Sequence, residues 1–262
     1  MDKRPIGFFD SGLGGASVLA EALNILPNES YIYYGDDGNA PYGDRADADI
    51  ARLTLASMDA LMRFGVKAVV LACNTATATC IDQVRAHMHV PVVSVEPAVK
   101  PACETPGTGR VLMLATAATT RLDRYRCLLS RMPEPSRVVS VACPGLVERI
   151  EEGKLLPGDF DDLFTRYLSH LHKQQIDAIV LGCTHYVFIK EAIALYAKEH
   201  FSAECRLFDG NAATVRQLGR VLKANGLVNG AGSGAVEYHT SGDRARLEPL
   251  FRSLIKNSNL SS

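Results

Sequence analysis

The sequence predicts an α/β fold of two pseudo-symmetric, doubly wound units with mostly parallel sheets. Three observations predict it. Short unbroken apolar runs alternate with amphipathic stretches almost from end to end, part of this pattern recurs along the chain, and several runs end in strongly polar loops. Strands of a parallel sheet are covered by helices on both faces and so read as continuous apolar runs, not alternating ones. With 262 residues, 47% hydrophobic and 22% charged, the chain can bury one large core or two modest ones.

In order, the strand-like runs are Ile6–Phe9, Tyr31–Tyr34, Ala68–Ala72, Val92–Val95, Val111–Ala115, Val138–Ala142, Ala178–Gly182 and Cys205–Phe208. Between them, apolar residues at spacings of three and four predict helices, as in Leu53-Ala56-Ala60-Leu61-Phe64 and Leu163-Tyr167-Leu168-Leu171. Gly65 and Gly226 are placed to stop helices, since glycine takes the left-handed conformation that closes a helix end. The stretch Gly65–Cys73 matches Gln175–Cys183 at an offset of 110, and Ile6–Ser11 matches Val111–Thr116 at an offset of 105. Two strands recurring in one order, with a cysteine at the same strand end, read as a duplicated unit. Pro97, Pro101, Pro106, Gly107 and Gly109 mark the boundary. The expected division is 1–97 with 209–262 as one unit and 98–208 as the other, the tail returning with two further helices around Ala235–Thr240.

Composition narrows the function. The formal net charge is −1, from 28 basic and 29 acidic residues spread along the chain, so no basic stripe is available for a nucleic acid. No apolar run reaches the roughly 18 residues that would span a membrane. Asp10 arrives too early for a secretory leader, and a cytoplasmic protein is expected. Seven cysteines, with no Cys-x-x-Cys, fit neither a disulfide framework nor a zinc ribbon. Reduced thiols are expected.

Ligands of parallel α/β sheets bind beyond the C-terminal strand ends, where loops lead into helix N-termini. The polar ends here are Asp10-Ser11-Gly12-Leu13-Gly14-Gly15, Cys73-Asn74-Thr75, Thr116–Thr119 and Cys183-Thr184-His185, and Tyr34-Gly35-Asp36 leads to Pro41-Tyr42-Gly43. If the two units face each other, these segments converge on one cleft, which then holds the active site. Lone cysteines in apolar strands are usually structural, and Cys80, Cys103, Cys127, Cys143 and Cys205 fit that reading. Cys73 and Cys183 instead match across the repeat and each precede a helix, whose N-terminus stabilises a thiolate and offers N–H groups to an anion. Two thiols on opposed units suit the inversion of a carbon centre, which needs an acid and a base on opposite faces. Asn74, Thr75 and Thr184 would supply donors to a substrate carboxylate, and Asp10 and His185 would assist the two thiols. A zinc site on Cys183 and His185 lacks further ligands at suitable spacing. Gly12-Leu13-Gly14-Gly15 is a weak dinucleotide signal, because Ser17 holds the third glycine position and Asp10 would oppose a pyrophosphate.

At these residues the chain resembles the glutamate racemases of the aspartate/glutamate racemase group. The resemblance rests on Ile6–Gly15, Gly35-Asp36 with Pro41-Tyr42-Gly43, Ala72–Thr75, Thr116 with Thr119, Cys143-Pro144, Ile150–Gly153, Gly182–Tyr186 and Thr240–Asp243, in order along the chain. It implies a two-domain enzyme without pyridoxal phosphate or metal that supplies D-glutamate for peptidoglycan, usually as a homodimer. It further implies that Cys73 serves the D-enantiomer and Cys183 the L-enantiomer, aided by Asp10, Glu151 and His185. Substrate contacts are implied for Asp10, Ser11, Tyr42, Gly43, Asn74, Thr75, Thr184 and His185, with Pro41, Thr116 and Thr119 on the converging loops. The sequence departs from the usual pattern at Asp37-Gly38-Asn39 (usually Thr-Ala-Arg), Val187 and Glu148 (usually and often Pro), and Gly210 after Asp209 (commonly Ser). These bear on loop shape, and through it on dimer mode and substrate stringency. With no extension before the first strand, activation by a cell-wall nucleotide precursor is not expected. Aspartate, one methylene shorter, is the alternative substrate. A related decarboxylase or isomerase would tend to keep only one of the two cysteines, and a binding protein that had inherited the fold would not need both.

Overall fold

The unbroken apolar runs become buried strands and the amphipathic stretches become covering helices. The computed structural model describes residues 1–258. The chain forms β1 (Ile6–Asp10), α1 (Ala16–Ile25), β2 (Tyr31–Gly35), α2 (Asp47–Met62), β3 (Ala68–Leu71), α3 (Asn74–His87) and β4 (Val92–Ser94). It continues through α4 (Val99–Cys103), β5 (Arg110–Ala115), α5 (Ala117–Arg121), α6 (Asp123–Ser130), β6 (Val138–Ala142) and α7 (Leu146–Glu151). Next come α8 (Asp161–Leu168), β7 (Ile176–Leu181), α9 (Lys190–His200) and β8 (Arg206–Phe208), then α10 (Asn211–Ala224), β9 (Val236–Thr240) and α11 (Arg244–Ser258). One compact unit holds Met1–Glu96 and the segment from Asn211 onward; the other is Pro97–Gly210. Among the described residues, no helix is long and apolar enough to cross a membrane.

The first unit carries a five-stranded sheet in the order β4-β3-β1-β2-β9, parallel throughout. Its central strand β1 is buried at every residue, as expected with helices on both faces. Helix α2 opens with Asp47 and Asp49 in its first turn, where acidic side chains meet the positive end of the helix dipole. Its buried stripe is Ile50, Leu53, Thr54, Ser57, Met58 and Leu61, so the apolar face is rotated from the expected one and Ala56 is exposed. Gly65 closes this segment at φ +67°, in the left-handed conformation expected of it.

Strand β9 corrects the expectation for the returning tail: the stretch around Ala235–Thr240 is itself a strand, with α10 and α11 on either side. As an edge strand it buries only part of its residues, so Val-Glu-Tyr-His-Thr lacks the continuous apolar signature. Tyr238 anchors it, wholly buried against the rings of Tyr33 and Phe251. A buried ion pair ties the unit together at the other end of the sheet. Lys67 Nζ lies 2.6 Å from Glu29 Oε2 and donates to the Asp2 carbonyl, while Glu29 Oε1 accepts from Asn229 N–H.

The second unit carries a four-stranded parallel sheet in the order β6-β5-β7-β8. Replacing β1 to β4 by β5 to β8 converts four strands of the first sheet into this one. The register is kept as well: Ile6 pairs with Ala68 and Phe9 with Leu71, and their repeat partners pair as Val111 with Ala178 and Leu114 with Leu181. Leu112, Leu114, Ile179 and Leu181 face a core that includes Phe160, Leu163 and Tyr186, while Val111, Met113, Ala178 and Val180 face the opposite one. At the end of β7, Gly182 leaves room for the Met113 side chain, which fills the place a Cβ would take.

Candidate active site

In the first unit the polar residues gather where β1, β2 and β3 end. Cys73 lies two residues past this end of β3 and caps α3: its Sγ accepts from Ala76 N–H at 3.4 Å, so the thiol sits where the helix dipole favours a negative sulfur. Ser11 Oγ lies 3.3 Å from the same sulfur. Asp10, 1% exposed, accepts from Gly12 N–H at 2.8 Å and so shapes the turn out of β1. It does not cap α1, whose N-cap is Gly15. Gly15 is required by space, because a Cβ there would lie 2.8 Å from Asp10 Cβ and 3.0 Å from Ala72 Cβ.

The neighbouring loop is held by Asp36. Its Oδ2 accepts from Tyr42 Oη at 2.6 Å, and its Oδ1 accepts from Asn39 Nδ2 and from Ser241 Oγ. Pro41, joined to Ala40 by a cis peptide bond, and Gly43 flank this buried tyrosine. Burial, the hydrogen bond to Asp36, and the nearby Asp36, Cys73 and Asp10 hold the Tyr42 phenol far above its usual range, so it stays protonated. Asn74 and Thr75 open α3 and are buried, and Asn74 Oδ1 has no hydrogen-bond partner. A buried acceptor left unsatisfied is costly, and this one belongs to the residue next to Cys73. Asp36 was legible only as a polar strand end; its contact with Ser241, 205 residues away, left no local signal.

In the second unit Cys183 follows β7, with Thr184 and His185 buried beside it. The helix expected to follow is 3-10 over Thr184–Ile189 and becomes α-helical only at Lys190. Cys183 Sγ consequently makes no capping hydrogen bond, in contrast to Cys73. Its polar neighbour is His185, whose Nδ1 lies 3.7 Å from the sulfur and whose Nε2 lies 2.9 Å from Glu151 Oε1. Burial opposes the imidazolium, but hydrogen bonds and opposite charge from Cys183 and Glu151 outweigh it and raise His185 well above the usual imidazole value. Thr116 and Thr119, beyond the end of β5, face each other at 3.1 Å between hydroxyls, and Thr116 caps α5.

The sequence-predicted residues therefore form two groups, each within its own unit: Asp10, Ser11, Pro41, Tyr42, Gly43, Cys73, Asn74 and Thr75 in one, and Thr116, Thr119, Glu151, Cys183, Thr184 and His185 in the other. Among the described residues no group of three or more His, Cys, Asp or Glu could hold a metal ion. Of the cysteines expected in the interior, Cys127 is exposed on α6 and Cys103 and Cys205 are half-buried.

A duplicated parallel α/β unit with a cysteine two residues beyond the same strand each time defines this chain as a two-unit α/β protein with a repeated thiol. Comparison with known sequences is specific: residues 16–218 match the Asp/Glu/Hydantoin racemase model, and the chain belongs to that family. A glutamate racemase of Herpetosiphon aurantiacus is 42% identical over 255 residues, covering 97% of this chain and 99% of its own. The crystal structure of glutamate racemase from Francisella tularensis in complex with D-glutamate is similar, with TM-score 0.83 and 30% identity over 98% of this chain and 95% of that one. So is that of Escherichia coli glutamate racemase with L-glutamate and an activator, UDP-MurNAc-ala, with TM-score 0.81 and 29% identity over 96% and 95%. The chain is an enzyme, an amino-acid racemase.

Proposed function

We propose that this racemase interconverts L- and D-glutamate without pyridoxal phosphate or metal, by proton transfer between Cys73 and Cys183. One observation carries the reading. The two thiols follow equivalent strands of two units whose registers match, and each has a polar partner within hydrogen-bond reach, Ser11 for Cys73 and His185 for Cys183.

In this mechanism the two sulfurs act on opposite faces of the substrate's α-carbon. The Cys183 thiolate removes the α-proton of L-glutamate, leaving a carbanion, and the Cys73 thiol donates its proton to the opposite face. D-Glutamate leaves, with Cys73 now the thiolate and Cys183 the thiol, which is the arrangement that accepts D-glutamate in reverse. The α-hydrogen is weakly acidic, so the developing negative charge requires preorganised donors. The N-terminus of α3 offers N–H groups at Asn74 and Thr75 to the α-carboxylate, and Thr184 adds a hydroxyl. Asn74 Oδ1, buried and unpartnered, suits the α-ammonium group. Asp10 and Ser11 assist Cys73; His185, fixed by Glu151, assists Cys183. Pro41, Tyr42, Gly43, Thr116 and Thr119 complete the wall around the substrate.

The racemase acts in the cytoplasm as a homodimer, supplying D-glutamate for peptidoglycan. The relatives named above, called glutamate racemases and in two cases solved with glutamate, support the choice of substrate. The test is incubation of the purified protein with L-glutamate in D₂O without added cofactor, followed by circular dichroism and by NMR of the α-position. Loss of the dichroic signal with α-deuteration is expected. No exchange and no loss of optical activity would sink the proposal, and turnover of aspartate in preference to glutamate would reassign the substrate.

A further inference from the structure

The pair that holds Cys183's polar partner depends on α7, and α7 is poorly secured by its own length. It is six residues long and bounded by Gly145 at φ +89° and Gly153 at φ +81°. A helix this short has little intrinsic stability and is placed by what it packs against. Leu146 and Ile150 bury one side of it. Further fixings come from the segment entering α8 and from α8 itself. Arg149, in the middle of α7, donates through Nη1 to the Asp159 carbonyl and to Asp162 Oδ1, both at 2.5 Å, and through Nη2 to Asp162 Oδ2 at 3.1 Å. Tyr167 Oη donates to the carbonyl of Pro144, just before α7, at 2.9 Å. Asp159 is itself held, its Oδ2 accepting from Leu156 N–H.

We infer that Arg149 and Asp162 are positioning residues of the racemase: their two-pronged clamp fixes α7 so that Glu151 stays on His185, and His185 on Cys183. The inference rests on the proposed two-thiol reaction. A guanidinium matches a carboxylate in two parallel hydrogen bonds and so sets an angle as well as a distance. Glu151 is two residues beyond Arg149, so a tilt of α7 is passed directly to its carboxylate. Neither charged group reaches the thiol, and both act through Glu151 and His185.

The clamp is partly exposed, 25% at Arg149 and 60% at Asp162, so its loss alters stability little. The test compares wild type, Arg149→Met, Asp162→Asn and the charge-swapped Arg149→Asp/Asp162→Arg, with Asp123→Asn as control. The control breaks an exposed pair of the same kind on α6. Each single clamp variant is expected to keep its Tm and lose roughly tenfold or more in kcat/KM. L- and D-glutamate are equally stable, so that loss is equal in the two directions. The isotope effects are not. With 2-deuterated substrate the effect grows from the L side, where Cys183 breaks the bond. From the D side it falls, because reprotonation by Cys183 has become slow and solvent hydrogen returns to the starting enantiomer. The swapped pair should recover much of the loss, and the control should match wild type. Unchanged kinetics in both single variants would overturn the inference. So would a loss that follows a lowered Tm, leaves the isotope effects symmetric and is not recovered by the swap. A wild type without turnover fails differently, removing the two-thiol reaction and this inference with it.

Discussion

His185 Nε2 lies 2.9 Å from Glu151 Oε1, which turns the other ring nitrogen toward the sulfur of Cys183. The histidine thus has a partner at each ring nitrogen in an interior where an unpaired imidazole would be costly. Cys73, by contrast, is supported by a helix N-terminus and a hydroxyl. The two proposed bases are alike in position and unlike in environment.

The histidine supplies the first prediction. On the proposed mechanism His185→Asn removes the group that keeps Cys183 ready to give or take a proton. It should lower kcat by roughly 10²-fold or more, the scale of acid–base assistance. Glu151→Gln should cost less, because the amide still accepts from the ring. Steady-state racemisation by circular dichroism measures both, and normal turnover in His185→Asn would exclude the assigned role.

The same residue makes stability depend on pH, with a definite sign. Its folded pKa is raised by Cys183 and Glu151 against the opposing effect of burial, while the unfolded value is about 6.5. Folding therefore favours the imidazolium. This contribution is fully present below the unfolded value and is lost as pH rises through the folded one. The Tm gap between wild type and His185→Asn should be widest at mildly acidic pH and narrow above neutrality. A gap that widens with rising pH would contradict the assignment.

What the sequence disclosed follows from where its signals are local. Cys73 and Cys183 were legible because buried parallel strands repeat as apolar runs, and a polar residue ending such a run stands out against them. The matched register of Ile6 with Ala68 and Val111 with Ala178 then followed from the repeat. The edge strand β9 was not legible, since Glu237 and His239 break the apolar run that its one buried ring, Tyr238, does not restore. The 3-10 conformation after Cys183 was hidden as well, because tertiary packing overrides the residues' own preference. The hold of Ser241 on Asp36, and through it on Tyr42, joins segments with no common pattern.

The cysteines should differ sharply in reactivity. Cys127 is exposed, whereas burial, with the nearby Cys183 charge, pushes the Cys143 thiol up to about 12, and burial with Asp177 takes Cys205 to about 11. Only the thiolate attacks a disulfide reagent. In native protein at about pH 8, Cys127 should be modified quickly and Cys143 and Cys205 slowly. Peptide mapping by mass spectrometry after brief labelling reads this directly. Cys127→Ser should retain full turnover.

The Lys67–Glu29 pair should govern the stability of the first unit. Both side chains are almost fully buried, at 0% and 3% exposed. Removing one partner leaves the other charged in the interior, at a cost of about 3–5 kcal/mol. Lys67→Met should show that loss in urea unfolding. Lys67→Met/Glu29→Gln should be less destabilised, because no buried charge then lacks its counter-ion. A double variant as unstable as the single one would show that packing, not charge, is the source.

Gly15 links packing to the proposed chemistry. An added methyl would press on Asp10 Cβ at 2.8 Å, Ala72 Cβ at 3.0 Å and Tyr33 Oη at 3.1 Å, all on the walls between β1, β2 and β3. Ala72 immediately precedes Cys73, and Tyr33 donates to the Gly12 carbonyl in the turn that Asp10 shapes. The backbone at Gly15 has φ −61° and accepts any residue, so a Gly15→Ala effect is steric and not conformational. Overpacking of this kind costs about 1–3 kcal/mol. The displacement falls on Asp10 and Cys73, so kcat should drop in Gly15→Ala well beyond the fraction of protein that unfolds. Gly219→Ala, where the nearest atom would be Leu26 Cδ2 at 3.5 Å, provides the comparison. That variant should keep both its activity and its stability. Equal behaviour of the two variants would show that the tight approach at Gly15 has no bearing on the thiol.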